Sequence, residues 1–260
     1  MKNLKSIFIT GAAGGMGRST AKLFLEKNWF VGCFDINKEN LLELENELGN
    51  ENIIYDVLDV TNKENFQDCI DNFSLRSGEK LDILFNNAGI TEGGFFEEIP
   101  YQKHMEIINI NIIGVINGIY SAVNLLKNTP NSLCISTSSS SGIMGMEMIA
   151  SYSASKHAVK GLTESLSSEF QRFNSRAADI LPGVIDTPMI RDEIRKNLPK
   201  DGIWRLISSD EIAKTVWDAY QSDKIHWYVP EELEGLEKEV AENPQKAREL
   251  LKTSGPLSND

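Results

Sequence analysis

The stretch SIFITGAAGGMGRSTAKLF, residues 6–24, decides the fold of this chain. An apolar, β-branched run passes through a glycine-rich turn into apolar residues at helical spacing, which predicts a strand, a tight turn and a helix. The turn contains Gly11, Gly14, Gly15 and Gly17. Glycine permits positive φ and close approach of another molecule, and a helix N-terminus offers free N–H groups. The turn is therefore a candidate phosphate cradle, although a simple connection between two core elements would look the same.

Size and charge limit the classes of protein that the chain can form. Its 260 residues, 41% of them hydrophobic, show no break in composition, so we expect a single domain over residues 1–260. The net charge is −12, and nucleic acid and anionic membranes are poor candidate partners. No apolar stretch approaches the roughly 20 residues of a membrane span, and no signal-like region is present, so a cytoplasmic location is expected.

The cysteines and histidines give no metal-binding pattern. Cys33, Cys69 and Cys134 are odd in number and lack CxxC spacing, so we expect core thiols. The histidines at 104, 157 and 226 are equally scattered. No metal site is predicted.

Strand-like and helix-like stretches alternate along the chain, which predicts an α/β fold with a parallel sheet covered by helices on both faces. The strands expected after the first are residues 30–35, 53–58, 81–85, 133–136, 176–181 and 225–229. In open α/β sheets, ligands bind at the carboxyl ends of the strands. The residues just after these strands are therefore the candidate site residues.

Asp35 ends the second strand, at about the 20-residue spacing expected of a ribose-binding carboxylate. It can accept hydrogen bonds from a ribose 2′-OH and would repel a 2′-phosphate, which favours NAD over NADP. No cation stands at Gly14, although Arg18 and Lys38 are nearby. A solvated aspartate at a strand end is the alternative.

Two further strand ends carry candidate contacts. Asp59 and Val60 come after the third strand, where an adenine contact is expected, although Asp59 or Thr61 as a helix cap is nearly as well supported. The loop after the fourth strand contains Asn87, Ala88 and Gly89. Amide side chains tie loops together and small residues admit a flat ligand, so this loop is a cofactor wall, a structural brace or both.

Residues 101–127 have the apolar pattern of a long helix, interrupted by Asn109 and Asn111. A buried amide must be satisfied by partners or must hold something. Without other observations, a satisfied core amide is the favoured interpretation.

Tyr152 and Lys156 are four residues apart in a predicted helix and share one face. The lysine ammonium favours the phenolate and lowers the tyrosine pKa from its usual value near 10, towards the range useful for general acid or base catalysis. Ser139 is expected to reach the same oxygen and to orient a carbonyl or alcohol. No His–Asp pair is placed to make it a nucleophile.

A series of ordered motifs resembles the short-chain dehydrogenases/reductases over roughly residues 5–229. The motifs are TGAAGGMG (10–17), Asp59-Val60, NNAG (86–89), Asn111, Ser139, YSASK (152–156) and PGVIDT (182–187). The resemblance implies a Rossmann-type, doubly wound parallel sheet of about seven strands, a nicotinamide dinucleotide at its carboxyl edge, and hydride transfer to or from a carbonyl carbon. The cofactor contacts that it implies are Gly11, Gly15, Met16, Gly17, Asp35, Asp59, Val60, Asn87, Ala88, Gly89, Tyr152, Lys156, Pro182, Gly183, Ile185 and Thr187.

The same resemblance implies catalytic roles. Tyr152 exchanges the proton, and Lys156 holds the nicotinamide ribose and lowers the tyrosine pKa. Ser139 binds the substrate oxygen, and Asn111 anchors a water that continues the proton path. The expected enzyme is an NAD(H)-dependent oxidoreductase that interconverts a small-molecule secondary alcohol and a ketone. The alternatives are an NADPH-dependent carbonyl reductase and a nucleotide-binding family member without net redox turnover.

Residues 188–207 lack clear periodicity, and relatives cover the substrate in this region, so we expect a mobile substrate lid here. Its apolar residues either face the substrate or pack the lid onto the domain, and the two interpretations are equally supported. These residues are Met189, Ile190, Ile194, Leu198, Ile203 and Trp204, together with Met144, Met146 and Met148.

The end of the chain departs from the family. An acidic tail, residues 231–260, replaces the usual glycine-rich ending, and residues 231–252 are expected to be helical. Its Leu233, Leu236 and Val240 suit packing on a partner subunit or on the same domain. Because relatives commonly use the helix at 101–127 and the Tyr152 helix at a twofold interface, a homodimer or homotetramer is expected.

Overall fold

The computed structural model describes residues 4–49, 51–245 and 249. Its strands are β1 (Ser6–Thr10), β2 (Phe30–Asp35), β3 (Ile53–Val57), β4 (Ile83–Asn86), β5 (Leu133–Thr137), β6 (Arg176–Pro182), β7 (Val184–Ile185), β8 (Leu206–Ile207) and β9 (His226–Val229). Seven of them form one parallel sheet in the order β3-β2-β1-β4-β5-β6-β9, while β7 and β8 pair separately. The order reverses between β1 and β4, where α/β sheets bind ligands.

Helices cover both faces of this sheet. They are α1 (Gly15–Glu26), α2 (Lys38–Leu48), α3 (Lys63–Ser77), α4 (Tyr101–Ile108), α5 (Gly114–Asn128), α6 (Ala150–Glu169), α7 (Asp192–Asn197), α8 (Ser209–Tyr220) and α9 (Leu233–Glu242). The predicted Rossmann-type sheet of about seven strands with helices on both faces is confirmed. The separate β7–β8 pair was not predicted.

Strand β1 shows why both faces are covered. Ile7 and Ile9 lie in one core cluster with Phe24 of α1. Phe8 points to the opposite face, where its ring stacks on Phe34 of β2 at a centroid distance of 3.9 Å. A strand that is apolar on both of its alternating faces must be buried from both sides.

The predicted long helix is present as α4 and α5, joined by a π-helical turn at Asn109–Ile113. By length and composition alone, Tyr101–Asn128 could cross a membrane, which corrects the expectation that no apolar stretch approaches that length. Its inner face packs against α3 and the sheet, and a Cβ added to Gly118 would lie 2.9 Å from the Phe66 ring. In this structure it is therefore a core helix.

The residue that caps α3 differs from expectation. The side chain of Asn62 accepts the Asn65 N–H, so neither Asp59 nor Thr61 is the cap. The Asp59 carboxylate instead accepts the Thr61 N–H at 2.9 Å and the Thr61 hydroxyl at 2.7 Å. These bonds fix the loop at the carboxyl end of β3.

The described part of the C-terminal tail packs on its own chain. Leu233 and Leu236 of α9 are buried in a cluster with Met144 and Trp204. Of the two alternatives for the tail, packing on the same domain is the one observed. The expected continuous helix over residues 231–252 is wrong within the described part, because α9 begins at Leu233 and the non-helical backbone of Asn243 ends it. Residues 246–248 and 250–260 lie outside the described part.

A polar network lies beneath α6. Asp179 of β6 is fully buried, and one of its carboxylate oxygens is 2.7 Å from Nδ1 of His226 on β9. His226 Nε2 is 3.3 Å from Glu164, which also pairs with Lys160 at 3.0 Å. Lys160 pairs in turn with Glu237 of α9 at 2.7 Å. The network therefore joins α6 and α9 to the last two strands of the sheet.

Burial raises the pKa of Asp179 to about 6, against the opposing effect of His226. Burial of His226 works to lower its pKa, but the hydrogen bond and charge of Asp179 outweigh it, so the pKa is raised. In both cases the folded chain holds the proton more tightly than the unfolded chain. The stabilising contribution of each group is therefore lost as the pH rises through its folded-state pKa.

We predict that the free energy of unfolding falls as the pH rises above 6.5, the ordinary pKa of histidine, because His226 loses its proton and leaves Asp179 without a charged partner. In His226→Gln this part of the pH dependence should flatten, as measured by urea unfolding between about pH 6 and 9. His157→Gln removes an exposed histidine that contacts only the Ser153 carbonyl among the contacts described, and should keep the wild-type slope. If the free energy of unfolding falls with pH as steeply in His226→Gln as in the wild type, other groups are responsible for the pH dependence.

Candidate active site

The carboxyl ends of the central strands open into a cleft of about 400 Å³, a size typical of small-molecule sites. Among the predicted site residues, those that line it are Gly11, Gly15, Met16, Asp35, Asp59, Val60, Asn87, Ala88, Gly89, Ser139, Tyr152, Lys156, Pro182, Gly183, Ile185 and Thr187. Gly17 and Asn111 do not line the cleft. The structure thus brings together residues from the ends of the seven strands β1 to β7 and from α6.

The glycine turn is shaped by close contacts. Gly11 and Gly15 have φ of +63° and +40°, a region that favours glycine. A Cβ at Gly15 would lie 2.6 Å from Thr187 Cγ2, and one at Gly17 would lie 2.2 Å from the Gly11 carbonyl oxygen. The lack of a side chain at Gly17 therefore lets α1 pack against the glycine turn. Gly11 and Gly15 face the cleft.

Asp35 faces the cleft with its carboxylate already oriented. One oxygen accepts the Ala13 N–H and the other accepts the Asn37 N–H, both at 3.0 Å. These bonds join the end of β2 to the glycine turn. Nearby Arg18 is paired with Glu47 of α2, with Nε 2.9 Å from the carboxylate.

Asn87 is both a wall of the cleft and a brace. Its side-chain nitrogen donates to the carbonyl oxygens of Thr10 and Gly11, at 3.0 and 3.2 Å. The Thr10 hydroxyl accepts the N–H groups of Asn87 and Ala88, both at 3.0 Å. The structural brace is therefore observed, and the loop also lines the cleft, where its contact with a cofactor stays a prediction.

Asn111 is fully buried in the π-helical turn, and its amide is satisfied. Its oxygen accepts the Ile90 N–H at 2.9 Å, and its nitrogen donates to the Ile90 carbonyl and to Ser155 of α6, both at 3.0 Å. The point where a Gly89 Cβ would lie is 3.2 Å from Asn111 Oδ1 and 3.5 Å from Lys156 Nζ. Asn111 therefore ties the loop after β4 to the helix of Tyr152.

Ser139, Tyr152 and Lys156 meet at the inner end of the cleft. Ser139 follows β5 after one residue, and its hydroxyl accepts the Ser141 N–H at 3.1 Å. The hydroxyl is near enough to the Tyr152 phenol to affect its pKa. Lys156 is buried one turn after Tyr152 in α6, with Nζ 5.4 Å from the tyrosine ring centroid. The Lys156 ammonium donates to the Thr137 carbonyl at 2.7 Å.

The pKa of Tyr152 differs from the sequence-based expectation. Burial raises it, and the Ser139 hydrogen bond only opposes this rise, so the expected lowering by Lys156 is not found. Burial also lowers the pKa of Lys156 to about 8, because the surrounding protein penalises its charge. At neutral pH the phenol is therefore protonated and suited to donate a proton.

In the lid segment, residues 188–207, some apolar residues face the cleft and others pack the segment onto the domain. Met189 and Ile190 line the cleft. Trp204 and Ile203 instead pack with Met144, Met146 and the α9 leucines. The expected lack of helical structure is wrong for α7, which has no buried residue.

Several cleft residues were not assigned by the sequence analysis: Gly14, Ile36, Asn40, Leu58, Ile90, Ile110, Thr137, Ser138 and Pro188. Many of them adjoin assigned residues at strand ends, and this adjacency is the signal that would have found them. Within the described ranges, no group of three or more His, Cys, Asp and Glu side chains is placed to hold a metal ion.

The cleft suits a dinucleotide. It has a glycine turn at the N-terminus of α1, where a phosphate finds free N–H groups. It also has an oriented carboxylate at Asp35 for a ribose and small residues at Ala88 and Gly89 for a flat ring. A buried cation and a protonated phenol lie at its far end. Fold and site together define an α/β oxidoreductase that acts on CH–OH groups.

Comparison with known proteins agrees with this class. The short chain dehydrogenase family model matches residues 5–198. The chain is 34% identical over 187 residues to the 3-oxoacyl-[acyl-carrier-protein] reductase of Thermotoga maritima, covering 71% of this chain and 76% of the relative. It is 30% identical over 221 residues to the cyclohexanol dehydrogenase of an Acinetobacter species, covering 82% and 86%.

Among solved structures, the chain resembles a short-chain dehydrogenase/reductase from Burkholderia phymatum in complex with NAD. The TM-score is 0.82 at 21% identity, covering 94% of this chain and 95% of the other. This likeness is one of fold. From the family match and the curated relatives, the chain belongs to the short-chain dehydrogenase family.

We predict that Gly15→Ser destabilises the chain by about 1–3 kcal/mol, the usual cost of a strained backbone position, because its Cβ meets Thr187 at positive φ. Gly14→Ser is the matched control: φ at Gly14 is −131° and nothing lies within 4 Å of an added Cβ. Serine is also a favoured N-cap residue. Urea unfolding of the two variants checks the difference, and equal stabilities would contradict the Gly15–Thr187 contact.

Proposed function

We propose that this protein is an NAD(H)-dependent oxidoreductase that interconverts a secondary alcohol and a ketone, with Tyr152 as the general acid or base. The observation that carries the proposal is the meeting of Tyr152, Ser139 and Lys156 at the inner end of a dinucleotide-sized cleft. A nicotinamide bound there supplies or accepts the hydride. Every other task in the reaction falls to side chains of this chain.

In the reduction direction, Tyr152 donates the proton to the substrate oxygen. Its raised pKa keeps the phenol protonated until the substrate oxygen becomes basic. Ser139 is proposed to hold the same oxygen by its hydroxyl, because both Ser139 and Tyr152 line the cleft. The placement supports general acid catalysis assisted by one orienting hydroxyl.

Lys156 is proposed to hold the nicotinamide ribose and to restore the proton of Tyr152. With a pKa of about 8, it both holds and releases a proton near neutral pH. Asn111 Oδ1 lies beside Gly89 with Lys156 Nζ on the same side. This supports a proton path that continues from Lys156 past Asn111, with the Asn111 side chain also keeping the loop after β4 in place.

The proposed preference for NAD rests on charge. The Asp35 carboxylate in the cleft accepts hydroxyl donors and repels a 2′-phosphate. Arg18, a nearby cation, is already paired with Glu47. The alternative is that this protein is an NADPH-dependent carbonyl reductase. Its similarity to a 3-oxoacyl-[acyl-carrier-protein] reductase supports a reaction in the reductive direction.

The substrate is proposed to be a small alcohol or ketone with apolar substituents. The cleft beside Tyr152 is lined by Ile90, Met189 and Ile190, which offer no charge to a substrate. The similarity to a cyclohexanol dehydrogenase supports this class.

We propose that the chain works as a homodimer or homotetramer in the cytoplasm. The outer face of α4 and α5 exposes large apolar side chains, which a second copy would cover. They are Tyr101, Met105, Ile116 and Tyr120. The buried free thiols of Cys33, Cys69 and Cys134 suit a reducing compartment.

Tyr152→Phe should lower turnover by at least about a hundredfold, the contribution expected of general acid or base help, with NADH affinity nearly unchanged. The assay is the change in NADH absorbance with the best substrate from a panel of secondary alcohols and ketones. In the oxidation direction, wild-type activity should rise with pH as the phenol ionises, and this rise should be lost in the variant. Tyr55→Phe, at a tyrosine that does not line the cleft, is the control, and near wild-type turnover in Tyr152→Phe would overturn the mechanism.

Asp35→Ser should shift the ratio of NADH to NADPH affinity towards NADPH by about ten- to hundredfold, because it removes a charged hydrogen-bond acceptor. Fluorescence titration with each cofactor measures this ratio. Asp56→Ser changes an aspartate on the neighbouring strand that does not line the cleft, and should leave the ratio unchanged. Tighter binding of NADPH by the wild type would show that the role given to Asp35 is wrong.

A further inference from the structure

The lid helix α7 is tied to the wall of the cleft by one arginine. Arg195 Nη1 pairs with the Asp186 carboxylate, and Nη2 donates to the Thr187 carbonyl at 3.2 Å. Thr187 itself lines the cleft. A single guanidinium on the lid therefore binds Thr187 of the cleft wall and the preceding residue, Asp186.

Thr187 is held from its other side by the glycine turn. Its methyl carbon, Cγ2, lies 2.6 Å from the position that a Cβ of Gly15 would take. Asp186 is fixed at the base of the lid, because its N–H donates to the Ile207 carbonyl at 2.7 Å. Thr187 thus lies between the phosphate cradle and Arg195, at the point where the lid leaves the rigid β7–β8 pair.

The remaining hold on α7 is weak. None of its residues is fully buried, and only Ile194 and Arg195 are half-buried. Arg191, which precedes it, is 63% exposed and lies 3.8 Å from Glu92 across the cleft, a pair that adds little stability. Arg195 is the side chain of α7 that contacts the Thr187 carbonyl, which also accepts the Ile190 N–H at 3.1 Å.

We propose that Arg195 is a positioning residue that couples closure of the lid to binding of the cofactor, by holding Thr187. The proposal rests on the nicotinamide-dependent function proposed above. A cofactor that contacts Thr187 would hold the Thr187 carbonyl in place for the Arg195 guanidinium. This favours the position of α7 in which Arg195 binds Thr187, which we call the seated position. Because such coupling is reciprocal, a seated α7 also strengthens cofactor binding.

Hydrogen exchange with and without NADH tests the coupling. In the wild type, NADH should slow exchange both in the glycine turn and in residues 192–197. In Arg195→Met, NADH should still protect the glycine turn, with its dissociation constant raised about two- to tenfold. The protection of residues 192–197 should be lost. A role in folding alone would not separate these two regions.

Two variants sharpen the comparison. Arg205→Met removes another lid arginine, which pairs with Glu232 and with the Gly202 carbonyl, and it should keep the wild-type response to NADH. Arg195→Lys keeps the charge without the two-pronged contact and should recover part of the coupling. If Arg195→Met does not fold, Arg195→Gln, which is too short to reach both partners, decides the question by the same measurement.

Equal protection of residues 192–197 by NADH in wild type and Arg195→Met would overturn the proposal. So would NADH binding to the wild type without protection of these residues. These results leave the proposed oxidoreductase function intact. A wild type that binds neither NADH nor NADPH would overturn that function and the coupling together.

Discussion

Close contact between backbones at the carboxyl edge of the sheet is the constraint on which this site depends. The glycine turn meets the loop after β4 at Gly11 and Ala88, where an added Cβ would be 3.0 Å from Ala88 Cα. It meets the loop after β7 through Gly15 and Thr187. Side chains at these glycines would drive the loops apart, and the walls of one cleft would no longer face each other.

Buried polar groups keep these loops in one arrangement. The Asn87 amide bonds the carbonyls of β1, the Asn111 amide joins the loop after β4 to α6, and the Lys156 ammonium bonds the carbonyl end of β5. Asn111 and Lys156 are buried in a low-dielectric environment, where a satisfied hydrogen bond is strong and an unsatisfied one is costly, whereas Asn87 is half-buried. The same burial that makes these bonds specific also shifts the pKa values of Tyr152 and Lys156.

The C-terminal segment supports the same site from behind. Leu233 and Leu236 of α9 pack on Trp204 at the base of the lid segment, and Glu237 pairs with Lys160 of the helix that carries Tyr152. The acidic C-terminal segment thus packs against both the lid and the Tyr152 helix. In the outer part of the lid, α7 has no fully buried residue, and Arg195 ties it to Asp186 and Thr187.

The sequence by itself determined the parallel sheet, the order of its main elements and most residues of the cleft. These features follow from local properties, namely the hydrophobic period, the positions of glycines and the four-residue step from Tyr152 to Lys156. Residues that follow a parallel strand lie at the carboxyl edge of the sheet, so the sequence also predicts the site. Tertiary structure alone decided the π-helical turn around Asn111, the raised pKa of Tyr152, and the pairing of Asp179 with His226. It also decided the contact of Arg195 with Thr187. These features depend on which distant groups meet and on how far they exclude water, and neither is encoded in local spacing.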